Sequence, residues 1–157
     1  MLEENRNAVI SGKWTEKSAG GCHLYHKAFE QKADKFTWTT NPRFHLKLQI
    51  EPNQQARVKI TLQRPQKAWK KQIGMNLVGC MIGFYIYAAN MEPTKEAILN
   101  KEGTKFVPWN EISEEINLDG IQDGYFIMCS TYEPGKQGPF ILSLSTDVDF
   151  QLKPLDA

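Results

Sequence analysis

The sequence predicts an all-β fold: seven or eight strands in two antiparallel sheets packed face to face. Three observations carry this, namely runs of strict apolar–polar alternation, turn residues between the runs, and almost no helical periodicity. The clearest run covers 44–50. There Phe44, Leu46, Leu48 and Ile50 interleave with Arg43, His45, Lys47 and Gln49, so every apolar side chain falls on one face of a strand. In the next run Val58, Ile60 and Leu62 alternate with Lys59, Thr61 and Gln63. The connection Glu51-Pro52-Asn53-Gln54-Gln55 is short, polar and headed by a turn-favouring Pro-Asn pair, so the two runs are expected to form a hairpin. On this reading Leu46→Asp unfolds the domain, whereas Lys47→Ala hardly matters.

Residues 83–87, Gly-Phe-Tyr-Ile-Tyr, are aromatic and β-branched, which suits a largely buried strand. Segments 125–131 and 139–145 have the same character. The Pro134-Gly135 pair between them calls for a tight reversal, so a second hairpin is expected. Phe150 and Leu152 alternate with Asp149, Gln151 and Lys153 in a final strand. Residues 8–14 make a weaker opening strand, and Ile116 and Leu118 mark another. The one helical candidate is 93–100, with Pro93 suited to a first turn and Gly103 just beyond the end.

The 157 residues, 1–157, suit a single domain large enough to bury a core without metals or disulfides. Nineteen basic against eighteen acidic side chains leave a net charge of +1, which excludes a global field drawing in nucleic acid or an acidic membrane. Attraction of that kind needs a local patch. Cys22, Cys80 and Cys129 are an odd number at wide spacing, as expected of reduced thiols in a cytoplasmic or nuclear protein. Residues 1–7 lack the basic start and apolar run of a secretory signal. The most apolar stretch, 75–89, is shorter than the roughly 18 residues of a membrane span and is interrupted by Asn76, Gly79 and Gly83.

Catalytic chemistry is poorly supplied. Cys22, with His23 and His26 nearby, offers a thiol and a base, but it sits between a glycine pair and a polar loop, not at a helix start. The same residues lack a second cysteine at zinc-like spacing, and His45 falls on the polar face of its strand. Calcium would need several carboxylates in adjoining loops. The candidates Glu51, Asp119, Asp123, Asp147 and Asp149 are scattered, and a turn-forming role is favoured over a calcium site. The sharpest charge feature is basic: Arg64, Lys67, Lys70 and Lys71, with Trp69 among them and no acid. Such a loop suits anionic phospholipid, an acidic partner or phosphate backbones, against the plainer reading of a solvated loop with Trp69 packed on the sandwich. Glu111, Glu114, Glu115, Asp119 and Asp123 form an acidic counterpart able to pair with this loop or receive a neighbouring domain.

Several segments also resemble a family. Gly12-Lys13-Trp14, Ser18-Ala19-Gly20-Gly21-Cys22 and Thr37-Trp38-Thr39-Thr40-Asn41-Pro42-Arg43-Phe44 are similar to the opening of the calpain C2-like domain, domain III. Ile82-Gly83-Phe84-Tyr85-Ile86-Tyr87 resembles its central strand. Ser130-Thr131-Tyr132-Glu133-Pro134-Gly135, with Gly138-Pro139-Phe140-Ile141-Leu142, resembles its last hairpin. The resemblance implies an eight-stranded antiparallel C2-like sandwich, excised from the C-terminal part of a longer intracellular thiol protease. Its partners would be the protease core and an adjacent C2-like domain in the same polypeptide. No catalytic residue carries over. The short Glu51–Gln55 connection departs from the family's acidic loop, and no EF-hand segment follows Ala157. The first puts the family's acidic-loop switch and its calcium coupling in doubt, and the second points toward the distal C2-like domain of the atypical PalB-type, type-seven, calpains. That subgroup implies MIT domains, ESCRT-III association and recruitment to endosomal membranes through the parent protein.

Overall fold

A computed structural model describes residues 6–22, 40–65, 80–94, 96–100, 106–107 and 110–155. Among the described residues eight strands run in chain order: β1 (Arg6–Trp14), β2 (Arg43–Leu48), β3 (Gln55–Gln63), β4 (Ile82–Ala88), β5 (Glu111–Asp119), β6 (Tyr125–Thr131), β7 (Gly138–Thr146) and β8 (Phe150–Pro154). They form two four-stranded sheets, β1-β7-β3-β5 and β4-β6-β2-β8, and every paired ladder is antiparallel. The C2-like sandwich is therefore present, with the alternation intact. Phe44, Leu46 and Leu48 on β2 and Ala56, Val58, Ile60 and Leu62 on β3 all point into the space between the sheets.

Neither expected hairpin forms. Odd-numbered strands build the first sheet and even-numbered strands the second, so every connection crosses from one sheet to the other. β2 pairs with β6 and β8, whereas β3 pairs with β5 and β7. The turn itself is made: the Gln54 amide donates to the Glu51 carbonyl at 3.0 Å and the Glu51 amide to Gln54 Oε1 at 3.0 Å. Period two fixes which face of a strand goes inward. It does not distinguish two strands side by side from two strands facing each other across the core, because both bury the same residues. The connections 49–54 and 132–137 exceed the tightest hairpin turns, so they can bridge the roughly 10 Å between sheets.

Among the described residues of 93–100 the expected helix does not form, and they show why. One helical turn begins, with the Ile98 amide on the Thr94 carbonyl at 3.1 Å. The next amide, Leu99, donates instead to the Ile86 carbonyl on the edge of β4 at 2.7 Å. Buried Asn100 completes the exchange: its Oδ1 accepts from the Ile86 amide at 3.1 Å, and its Nδ2 donates to the Phe84 carbonyl and to Glu114 Oε1 at 3.2 and 2.9 Å. Satisfying a strand edge outcompetes continuing a short helix. Ile98 and Phe106 then cover Tyr85, Tyr87 and Met128 in a small second core on the outer face of the second sheet. Asn100→Ala should cost about 2–3 kcal/mol, because it strips partners from buried backbone groups and from Glu114. Urea denaturation checks this, and a loss below about 0.5 kcal/mol would contradict the bridging role.

Candidate functional site

The segments that carry the family resemblance lie far apart in sequence and meet at one end of the sandwich. The Cys22 amide donates to the Tyr132 carbonyl at 3.1 Å, and the Gly135 amide to the Ala19 carbonyl at 2.8 Å. Asn41, also buried, ties the chain just before β2 to the Gly20–Gly21 stretch. Its Oδ1 accepts from the Gly20 amide at 3.1 Å and its Nδ2 donates to the Gly21 carbonyl at 2.7 Å. Gly21 has φ +78°, and an added Cβ would lie 2.7 Å from the Pro134 nitrogen, so this close approach requires glycine. Trp14 closes the end from below: its indole N–H donates to the Cys129 carbonyl at 2.9 Å, and its ring packs on Phe140 at 4.5 Å between centroids.

This end holds chain segments in place and carries no exposed thiol among the described residues. Cys22, Cys80 and Cys129 are each 0% exposed. Burial pushes the Cys80 and Cys129 thiols above their ordinary range, although Lys136 and Arg64 partly oppose this at Cys80. A buried thiol in its neutral form neither reaches a substrate nor attacks one. His23 and His26 lie outside the described residues. His45 donates from Nε2 to the Asp123 carbonyl at 2.7 Å.

The basic loop is divided by the structure. Arg64 was expected to face solvent with the lysines, and it is instead 1% exposed. Its guanidinium donates from Nη1 to the Cys80 carbonyl, and its amide donates to the Asn110 carbonyl at 2.7 Å. Arg64 thus ties the end of β3 to the approaches of β4 and β5, and burial draws its pKa down. The reason is local. Inward alternation along β3 continues through Leu62 to position 64, where a guanidinium can reach a carbonyl that needs a donor. Lys67, Trp69, Lys70 and Lys71 lie outside the described residues.

The acidic candidates serve the other end and the edge of the first sheet. Asp149 pairs with Arg6 at 2.5 Å, Asp147 Oδ1 accepts from the Arg57 amide at 3.2 Å, and Asp119 Oδ1 accepts from Gln55 Nε2 at 2.8 Å. Glu111 and Glu115 face β3, accepting from Gln63 at 3.0 Å and pairing with Arg57 at 3.8 Å. Among the described residues no group of three His, Cys, Asp or Glu is placed to hold a metal ion. Tyr125 donates its hydroxyl to the Asp119 carbonyl at 2.6 Å. Burial, with the Asp119 charge adding to it, pushes the Tyr125 phenol up to about 12 from 10. The folded state therefore favours the neutral phenol, and this contribution is complete below pH 10 and lost as pH rises through 12. Tyr125→Phe should accordingly shrink the fall in urea midpoint between about pH 9 and about pH 11.5; an unchanged fall would remove Tyr125 as a cause.

One charged surface was not singled out by sequence reasoning. The strands of the second sheet contain no Asp or Glu, and their basic residues Arg43, His45, Lys47 and Lys153 all project from the outer face. The Arg43 guanidinium lies 4.9 Å over the Phe126 ring and donates to the Tyr87 hydroxyl at 3.3 Å. Lys47 Nζ donates to the carbonyls of Ile121 and Gln122 at 2.9 and 2.7 Å. The alternation on β2 was legible, but the arrival of Lys153 opposite His45 depends on the pairing of β2 with β8.

Comparison with known proteins agrees with this architecture. The family described as calpain large subunit, domain III, matches residues 10–144. The calpain-type cysteine protease ADL1 of rice, Oryza sativa subsp. japonica, is 27% identical over 92% of this chain and 7% of its own length. Human Calpain-8 is 25% identical over 88% of this chain and 21% of its own. A Dictyostelium discoideum protein named serine/threonine-protein kinase 4 homolog B is 27% identical over 89% of this chain and 11% of its own. The chain thus spans between 7% and 21% of the length of these relatives.

Proposed function

Because the chain belongs to the calpain domain III family, we propose that it is a noncatalytic module that positions or regulates a calpain-type cysteine protease core through domain packing and partner binding. The observation that carries this reading is the family match over 10–144 joined to a structure whose three cysteines are all sealed. Similarity to part of a protein named as a kinase supports a module that serves different catalytic domains by contact. Proteolysis then belongs to the rest of the polypeptide. The PalB-type assignment, with ESCRT-III association through MIT domains and a cytoplasmic or endosomal setting, is the finer form of the proposal. The short 49–54 connection between β2 and β3 bears on a different point, since it leaves little room for the family's acidic-loop switch.

Calcium is not part of this proposal, since Asp119, Asp147 and Asp149 are each engaged in hydrogen bonds or ion pairs within the loops and strand ends. Adding calcium should leave the melting temperature unchanged, and a calorimetric heat with raised melting temperature would contradict this. Binding of anionic phospholipid through the basic loop would rest on Lys67, Trp69, Lys70 and Lys71, because Arg64 is withdrawn. The functional test is to delete this domain from the polypeptide that carries it and measure cleavage of a protein substrate. A changed rate or a changed location of cleavage supports the module; turnover and location that ignore the deletion oppose it.

A further inference from the structure

We propose that the outer face of the second sheet, along β2 and β8, docks an extended carboxylate-rich peptide segment of a partner protein. The inference presupposes the docking module proposed above and names its surface and the chemistry of its partner. The first observation is a separation of charge between the sheets. The strands of the first sheet balance Arg6, Lys13, Arg57 and Lys59 against Glu111, Glu114, Glu115 and Asp119. Those of the second sheet hold Arg43, Lys47 and Lys153, with His45, and no acid.

These basic side chains have no carboxylate partner within hydrogen-bond or ion-pair distance among the described residues. Arg43 is held by an aromatic ring and a phenol, Lys47 by two carbonyls and His45 by a third. Such contacts fix the side chains without a direct carboxylate pair. The acids near them lie in the flanking loops: Asp123, whose carbonyl holds His45, and Glu92, whose charge acts on the Tyr87 hydroxyl. An ammonium has three N–H donors, so Lys47 keeps one beyond its two carbonyls, and a guanidinium on a ring still presents an edge to a carboxylate. Lys153, exposed on β8, stands directly across from His45.

Geometry favours a strand-like ligand. Arg43, His45 and Lys47 recur every second residue, which spaces them at about 6.8 Å, the repeat at which an extended peptide presents side chains on one face. All three are half-buried, and Phe126 is half-buried between them. A narrow chain lying on the sheet reaches such groups, whereas the flat surface of a bilayer meets protruding loops first. The chain's net charge of +1 provides no general attraction for polyanions, so recognition would be local to this face.

The test uses the 157-residue chain and a fluorescein-labelled peptide of alternating Glu and Thr, followed by anisotropy. Saturable binding is expected, weakening about tenfold or more when salt is raised from about 0.05 to about 0.5 M. Lys153→Glu should weaken it about tenfold without changing the melting temperature, and Lys13→Glu, on the first sheet, should leave it within about twofold. The idea is overturned by absent saturable binding, by an equal loss from Lys13→Glu, or by phosphatidylserine vesicles binding in a Lys153-dependent manner while the peptide does not. Such a failure removes this surface alone. The effect of deleting the whole domain on proteolysis would still stand or fall by its own measurement.

Discussion

Trp14→Ala should lower the unfolding free energy by about 3–5 kcal/mol, among the largest losses available to a single side chain here. Trp14 is 1% exposed, packs at a tilt against Phe140 at 4.5 Å between centroids and donates its indole N–H to the Cys129 carbonyl at 2.9 Å. It joins the end of β1 to β6 in the opposite sheet, so the alanine variant loses ring packing and an inter-sheet hydrogen bond together. Trp14→Phe separates the two contributions: it keeps most of the packing and should cost about 1 kcal/mol for the lost bond, plus a smaller packing loss. Urea midpoints of both variants check this. An alanine variant as stable as the parent chain would show that this end of the sandwich is not held as described.

Leu46→Asp should prevent folding altogether. Leu46 is 0% exposed in the main core, and a carboxylate there would be desolvated among apolar side chains. The circular dichroism spectrum of this variant should lose its sheet signal at room temperature, and retention of a cooperative melt near that of the parent chain would put β2 in the wrong place. Its neighbour departs from the sequence-based expectation. Lys47→Ala is not silent in this structure, because Nζ ties β2 to the β5–β6 connection through two carbonyls. A loss of about 1 kcal/mol is expected in place of none, still far smaller than that from Leu46→Asp.

That pair shows what was legible in the sequence and what was not. Alternation identified Phe44, Leu46 and Leu48 as inward and Arg43, His45 and Lys47 as outward, and the structure agrees residue by residue. Strand partners were another matter. Pro52-Asn53 and Pro134-Gly135 do reverse the chain, but the reversed strand enters the other sheet, and no local residue encodes that choice. The same blindness hid the basic face. β2 would have seemed flanked by the mixed charges of β3 had the expected hairpin formed; paired with β8 it gains Lys153 instead. Arg64 and the 93–100 segment were misread for a related reason. Each meets a backbone group of a distant strand, the Cys80 carbonyl before β4 and the edge of β4 itself. The family motifs were the part of the sequence that anticipated tertiary contact, since Gly21, Asn41 and Gly135 all serve the same end of the sandwich.

The central claim is that this domain works by contact and not by catalysis. Incubating the purified 157-residue chain with casein, with and without calcium, tests it most directly. With Cys22, Cys80 and Cys129 all sealed, no cleavage is expected in either condition, before or after thiol alkylation. Casein turnover that disappears when a cysteine is alkylated would contradict the account.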